Sequence, residues 1–152
     1  MRKIFLYYIA MVPMLSLTLG GCSIEMSDNG ELDGYWHLER VDTLSTGGVC
    51  DLSGQLRFWA VQAKMLALMD RGNDANGGAF GYLLRFEHNG SKLRLYQPLL
   101  NDRVNGDSKV EDAKLLAPFG VNALDETFRV VSLSGSKMTL RTEELQLSFK
   151  KF

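Results

Sequence analysis

The sequence contains few of the residues that usually carry catalysis or cross-links. Among its 152 residues there are two histidines and two cysteines. His37 and His88 are far apart, and neither has a nucleophile or a metal-ligand spacing beside it, so both are predicted to be solvated surface side chains. Asp and Glu are scattered, and no carboxylate pair can be identified. We therefore expect a protein that is not an enzyme and holds neither a metal nor a cofactor.

Positive charge is scarce as well. The chain has 17 Lys and Arg against 18 Asp and Glu, and two of the basic residues, Arg2 and Lys3, lie at its extreme N-terminus. Without those two, 15 basic residues face 18 acidic ones. Nucleic-acid binding requires a concentrated basic patch, so a nucleic-acid partner is not expected.

The N-terminus has the pattern of a secretory signal peptide. Arg2 and Lys3 precede an uncharged run from Ile4 to Gly21, and small residues stand at its end. The motif Leu19-Gly20-Gly21-Cys22 resembles the lipobox of bacterial lipoproteins, which implies that Cys22 is the lipidated (palmitate-bearing) first residue of the mature protein. An uncleaved transmembrane anchor is the alternative, because the run nearly reaches the length that spans a bilayer. Pro13 and Cys22 favour the lipoprotein.

This pattern divides the chain into three parts. Residues 1–21 are predicted to be the signal peptide, 22–33 the lipidated cysteine and a flexible tether, and 34–152 one folded domain. Because Ser23 rather than an aspartate follows Cys22, we expect lipid anchoring in the outer membrane of a bacterial cell envelope. Lipidation of Cys22 leaves Cys50 unpaired, which excludes a disulfide framework. Cys50 is then expected to be a small buried side chain.

The domain reads as a series of β-strands joined by short turns. Asn89-Gly90 is a strong hairpin signal and would pair Phe86 with Leu93. A turn at Glu143-Glu144 would pair Leu140 with Leu147, and a bulge is expected near Val131-Ser132. Thr43 to Gly54 is predicted to be a loop. Eight strands are predicted: Tyr35–Thr43, Gln55–Val61, Lys64–Met69, Phe80–His88, Ser91–Gln97, Thr127–Leu133, Lys137–Thr142 and Leu145–Lys151.

Two segments are less clear. Gln55 to Asp70 could form one bent strand, two strands or a helix, because periodicity does not separate these for a short apolar run; we favour β-structure. Ser108-Lys109-Val110-Glu111 matches a helix capping box. It predicts one short helix from Lys109 to about Leu116, ended by Pro118.

The first strand carries a family resemblance. Gly34-Tyr35-Trp36 resembles the Gly-x-Trp motif that opens the first strand of lipocalins, whose tryptophan plugs the closed end of the barrel. With the eight strands, most of residues 34–152 is similar to the lipocalin-like domains of bacterial lipoproteins of the Bacteroidetes. The implied fold is all-β: an eight-stranded antiparallel up-and-down (lipocalin-like, or calycin) barrel with one short helix. For the basic residue that lipocalins place over this tryptophan, the last strand offers only Lys150 or Lys151.

The resemblance implies binding of a small apolar ligand inside a barrel in the cell envelope. An eight-stranded barrel can hold one small ligand or fill itself with side chains. The alternative is therefore a ligand-free barrel that contacts an envelope protein partner or acts as an accessory or inhibitor module. The residues expected inside, as ligand lining or as core, are Trp36, Phe58, Phe80, Tyr82, Leu84, Phe86, Leu95, Met138, Leu140 and Phe149.

Overall fold

The computed structural model describes residues 28–72, 81–102 and 104–152. The signal peptide, Cys22 and Phe80 lie outside the described residues. Among the described residues, no helix is long and apolar enough to cross a membrane.

Antiparallel strands form one continuous sheet that closes on itself. Eight strands make the wall, and the first pairs with the last through Trp36–Lys151 to Thr43–Leu145. Closure gives the first and last strands of the wall a partner on both sides, so neither is a free edge of the sheet. The wall strands are β1 (Gly34–Thr43), β3 (Arg57–Gln62), β4 (Met65–Asp70), β5 (Tyr82–His88), β6 (Lys92–Leu100), β8 (Glu126–Leu133), β9 (Lys137–Arg141) and β10 (Leu145–Lys151).

Each of the eight predicted strands has its counterpart, so the predicted barrel is confirmed. Gln55 to Asp70 forms two strands, β3 and β4, rather than one strand or a helix. They are joined at Ala63, whose positive φ of 52° is that of a tight turn. The C-terminal hairpin pairs Leu140 with Leu147 as predicted, and the register of β8 shifts at the expected bulge between Val130 and Ser132.

The predicted register of the β5–β6 hairpin is wrong by two residues. Phe86 pairs with Leu95, not Leu93, because the connection is wider than a two-residue turn. The side-chain oxygen of Asn89 accepts hydrogen bonds from the amides of Ser91 and Lys92, which stabilises this wider turn. A shift of two keeps every side chain on its predicted face.

Two short strands were not predicted. Gly48–Asp51 (β2), inside the predicted loop, pairs with the end of β1. Ser108–Lys109 (β7) pairs with the end of β6. The β7 pairing overturns the predicted helix from Lys109 to Leu116, because Val110 continues it by donating its amide to the carbonyl of Pro98 at 3.0 Å.

Helical structure in the described residues is confined to 3-10 turns. Ala113–Leu115 is capped by Asp112, whose carboxylate accepts from the amide of Lys114 at 2.9 Å. Ala117–Phe119 follows directly, with Pro118 inside it rather than ending a helix before it. Gly30–Leu32 precedes β1.

The up-and-down topology places these turns at opposite ends of the barrel. Gly30–Leu32, the β3–β4, β5–β6 and β8–β9 connections and the C-terminus lie at one end, which we call the N-terminal end. The segment from 101 to 125, with the other two 3-10 turns, lies at the opposite end. Leu32 from the first and Leu116, Phe119 and Val121 from the second are buried in the same core as the barrel strands.

Candidate functional site

The barrel interior is a single packed cluster of apolar side chains. Six of the residues predicted to lie inside, Trp36, Leu84, Leu95, Met138, Leu140 and Phe149, are at most 3 % exposed and belong to that cluster. Tyr82 and Phe86 are half-buried and pack against it. At this burial the side chains fill the interior with one another.

Phe58 was predicted inside the barrel, and the structure overturns that placement. Trp59, its neighbour, pairs with Trp36 across β1 and β3 and points inward. Because side chains alternate along a strand, Phe58 is directed to the outer side of the wall. There it is covered by the rings of Tyr35 and His37, with centroids at 5.3 and 5.0 Å.

Trp59 is the interior residue that the sequence analysis missed. Its ring meets Phe149 and Phe128 edge-on, with centroids at 4.9 and 5.7 Å. Its indole N–H donates to the carbonyl of Phe119 at 3.1 Å, which ties the 3-10 turn to the core. The signal was present in Phe58-Trp59, but alternation alone does not show which of two adjacent aromatics points inward.

Trp36 closes the N-terminal end. Its indole N–H donates to the carbonyl of Leu32 at 2.8 Å. The ammonium nitrogen of Lys151 lies 4.8 Å from the centroid of the Trp36 ring, so Lys151 is the basic residue of the last strand that covers this tryptophan.

An apolar groove lies on the outer wall, between strands β4, β5 and β6 on one side and the segment 104–125, which carries β7 and which we call the strap, on the other. Its volume is about 540 Å³, inside the range of roughly 300–1,000 Å³ typical of small-molecule sites. Met65 and Leu99 contribute outward-facing apolar side chains from the wall, and Val110 and Leu124, both in the strap, border the groove on the other side. Arg85, Gln97, Pro98, Lys109 and Asp125 complete the lining.

A β-bulge in β6 opens this groove. The pairing moves from Leu83–Leu99 to Arg85–Tyr96, so Gln97 and Pro98 together face a single residue of β5. Gln97 has a φ of 52°, in the left-handed region. β8 pairs with β6 only as far as Leu95, and β7 begins its pairing at Leu99. Between them, the carbonyl of Pro98 accepts the amide of Val110, so the stretch of β6 without a strand partner on that side, among the described residues, is Tyr96 and Gln97.

The charges around the groove are unevenly matched. Asp125 is held by Arg94 at 2.6 and 2.8 Å, and these hydrogen bonds lower the pKa of Asp125. Arg85 and Lys109 form no ion pair within the described residues. The groove therefore has an apolar floor and two unpaired cationic side chains at its rim.

The histidines and Cys50 differ from their predictions. His37 is half-buried and its Nε2 lies 2.6 Å from the carbonyl of Gln55. His88 has a buried Nε2 with no hydrogen-bond partner among the described residues, and burial lowers the pKa of its imidazole. Neither is simply a solvated surface side chain.

Cys50 is exposed on β2, not buried, because β2 covers no part of the core. In the described part of the chain, no three His, Cys, Asp or Glu side chains form a group that could hold a metal ion.

Together, the closed wall, the tryptophan at one end and the lysine above it define a lipocalin-like barrel. The family model described as lipocalin-like domain matches residues 15–152. The chain belongs to this family.

Two crystal structures have the same fold. A lipocalin-like protein from Bacteroides uniformis ATCC 8492 is 23% identical, with a TM-score of 0.60 over 81% of this chain and 100% of that one. An uncharacterized protein from Bacteroides eggerthii DSM 20697 is 20% identical, with a TM-score of 0.57 over 79% of this chain and 98% of that one. No curated protein matches the chain.

Proposed function

We propose that this barrel is a lipid-anchored protein of the bacterial cell envelope, most simply of the outer membrane, that binds a small, largely apolar molecule. The fold is one that supports ligand binding, and the lipobox-like Leu19-Gly20-Gly21-Cys22 supports the anchor. The observation that carries the proposal is the apolar groove of about 540 Å³ on the outer wall.

The groove is a better site than the barrel centre. The central side chains are fully buried against one another, so a ligand there would have to displace a packed core and lose its dispersion contacts. The groove needs no such rearrangement. Met65 offers a flexible, polarizable surface that adapts to different apolar shapes. Arg85 and Lys109 can lay their methylene stems over a bound apolar body while their charged ends stay in water.

Native mass spectrometry of the full-length protein, extracted from cell membranes in neutral detergent, tests this proposal. We expect a discrete extra mass that disappears when the protein is unfolded, extracted with solvent and refolded. Leu99→Gln, which places an amide in the groove floor, should lower the occupancy. Val131→Gln, at an exposed bulge position on β8, is the matched control and should leave it unchanged.

Other results would contradict the proposal. The bare mass in every sample would show that no ligand is retained. An extra mass that is equal in wild type and Leu99→Gln would place the ligand outside the groove.

The packed interior supports a second candidate, a ligand-free barrel that contacts another envelope protein. In that case the native spectrum would show only the bare mass, and crosslinking in intact cells would capture a protein partner.

A further inference from the structure

Three cationic side chains stand directly opposite one another on the outer wall, across β6, β8 and β9. Lys92 pairs with Arg129, and Arg129 pairs with Arg141. All three face outward, since each is next to a fully buried inward residue of its strand, namely Leu93, Phe128 and Leu140. We call Lys92, Arg129 and Arg141 the cationic row.

This arrangement is unfavourable in the protein alone. Like charges at directly opposed positions destabilise a sheet, because their Cβ atoms are only about 5 Å apart. None of the three forms an ion pair within the described residues. Arg94, the next outward residue on β6, differs: it binds Asp125 at 2.6 Å and approaches Glu87 at 3.4 Å. Asp125 and Glu87 are therefore paired with Arg94 and do not neutralise the cationic row.

The row lies in a depression rather than on a flat surface. The depression measures about 470 Å³ and is also lined by Ser91, Thr127, Thr142 and Glu143. Three cations thus face one carboxylate. The hydroxyl oxygen of Thr142 accepts hydrogen bonds from the amides of Glu144 and Leu145, so its hydrogen is free to donate into the depression.

We propose that the cationic row is a binding site for a ligand that carries phosphate groups and at least two negative charges. Guanidinium groups bind phosphate oxygens through two parallel hydrogen bonds, and the row supplies two of them beside an ammonium group. The outer members of the row are two strands apart, a distance on the order of 10 Å. A ligand with two phosphate groups can therefore contact the whole row, whereas a single phosphate contacts one part of it.

The same chemistry is present in two sources: a soluble phosphate ester, and the phosphate headgroup of a membrane lipid. The site is separate from the apolar groove and does not depend on it. Lys92, Arg129 and Arg141 are absent from the groove lining, so either proposal can fail while the other stands.

The test uses the full-length protein in phosphatidylcholine nanodiscs and follows its thermal melting and its binding of inorganic pyrophosphate by calorimetry. Pyrophosphate should raise the melting temperature of the wild type. The double variant Arg129→Gln/Arg141→Gln should bind pyrophosphate at least about tenfold more weakly than the wild type, because it loses both charge-assisted contacts. Arg141→Lys keeps the charge but loses the guanidinium group that makes two parallel hydrogen bonds. Its affinity for pyrophosphate should lie between those of the wild type and the double variant.

Lys137→Gln/Lys150→Gln is the matched control. It removes the same charge from a directly opposed cation pair on β9 and β10, outside the depression, and should bind pyrophosphate as the wild type does. If both double variants bind pyrophosphate equally weakly, the effect depends on overall charge alone, and the proposed site is overturned.

A second arm replaces part of the phosphatidylcholine with phosphatidic acid and adds no pyrophosphate. A rise in melting temperature that the Arg129→Gln/Arg141→Gln variant lacks would assign the site to a lipid headgroup. Pyrophosphate binding without this rise would assign it to a soluble ester. The absence of a variant-dependent effect in both arms would overturn the proposal.

Discussion

The ammonium group of Lys151, on the last strand, contacts both Trp36 and the 3-10 turn Gly30–Leu32 at the N-terminal end of the barrel. Its nitrogen lies 4.8 Å from the centroid of the Trp36 ring and donates to the carbonyl of Glu31 at 3.0 Å. The Trp36 indole donates to the neighbouring carbonyl of Leu32. Two side chains thus hold the 3-10 turn Gly30–Leu32 over the end of the barrel, which keeps water from the buried side chain of Leu32.

Replacing Lys151 should therefore destabilise the barrel more than replacing its neighbour. Lys151→Gln removes a cation–π contact and a charge-assisted hydrogen bond, and we expect a loss of about 1 kcal/mol in the free energy of unfolding. Lys150→Gln, at an exposed position on the same strand, should change it by less than about 0.5 kcal/mol. Urea denaturation measures both variants. Equal losses would show that the contact with Trp36 adds no stability.

Gly81 lies where the chain passes close to the backbone of β4. A Cβ at this residue would be 1.7 Å from the carbonyl oxygen of Leu68, and its φ is +109°. Gly81→Ala should cost about 3 kcal/mol, since it combines a backbone collision with a strained φ. Gly90→Ala has a φ of +84° but open space around it, so it should cost only about 1 kcal/mol. Thermal unfolding of the two variants separates the collision from the strain.

The sequence predicted the wall of the barrel well because alternation and turn chemistry are local signals. The C-terminal hairpin is an example, since the pairing of Leu140 with Leu147 follows from one turn and a period of two. The predicted register of the β5–β6 hairpin was wrong because Asn89 stabilises a wider turn than Asn-Gly usually makes. The dipeptide alone does not show this. This shift brings Glu87 opposite Arg94 and replaces the unfavourable pairing of Arg94 with Arg85 that a two-residue turn would give.

The candidate sites were harder to predict because they depend on contacts between distant parts of the chain. The groove exists only where the bulge at Gln97 meets the strap around Val110. The cationic row requires the registers of three strands at once. Phe58 was placed on the wrong face because a single shift in phase exchanges it with Trp59.

The capping-box prediction can be tested directly against the observed turn. If Ser108 capped a helix, Ser108→Ala would cost about 1 kcal/mol. In the structure Ser108 lies in β7, and the capping oxygen belongs to Asp112. We expect Asp112→Ala to lower the free energy of unfolding by about 1 kcal/mol, and Ser108→Ala to leave it within about 0.5 kcal/mol of the wild type. The reverse order in urea denaturation would support the helix.

Glu126 should give the barrel a distinctive pH dependence. Burial raises the pKa of its carboxyl above the ordinary value of 4.5, although hydrogen bonds from the amides of Asn122 and Ala123 act in the opposite direction. Above pH 4.5 the folded protein therefore binds more protons at this site than the unfolded chain does. The contribution of Glu126 to stability is fully present below pH 4.5 and is lost as the pH rises through its folded pKa.

Glu126→Gln isolates this effect. The variant cannot titrate at residue 126, so groups such as Asp125, whose pKa Arg94 lowers, cancel when the two proteins are compared. We expect the free energy of unfolding of the wild type, relative to Glu126→Gln, to decrease as the pH rises from 4 to 7. Urea denaturation at a series of pH values measures this difference. A difference that is constant or increases with pH would mean that the amides of Asn122 and Ala123 stabilise the carboxylate more than burial destabilises it.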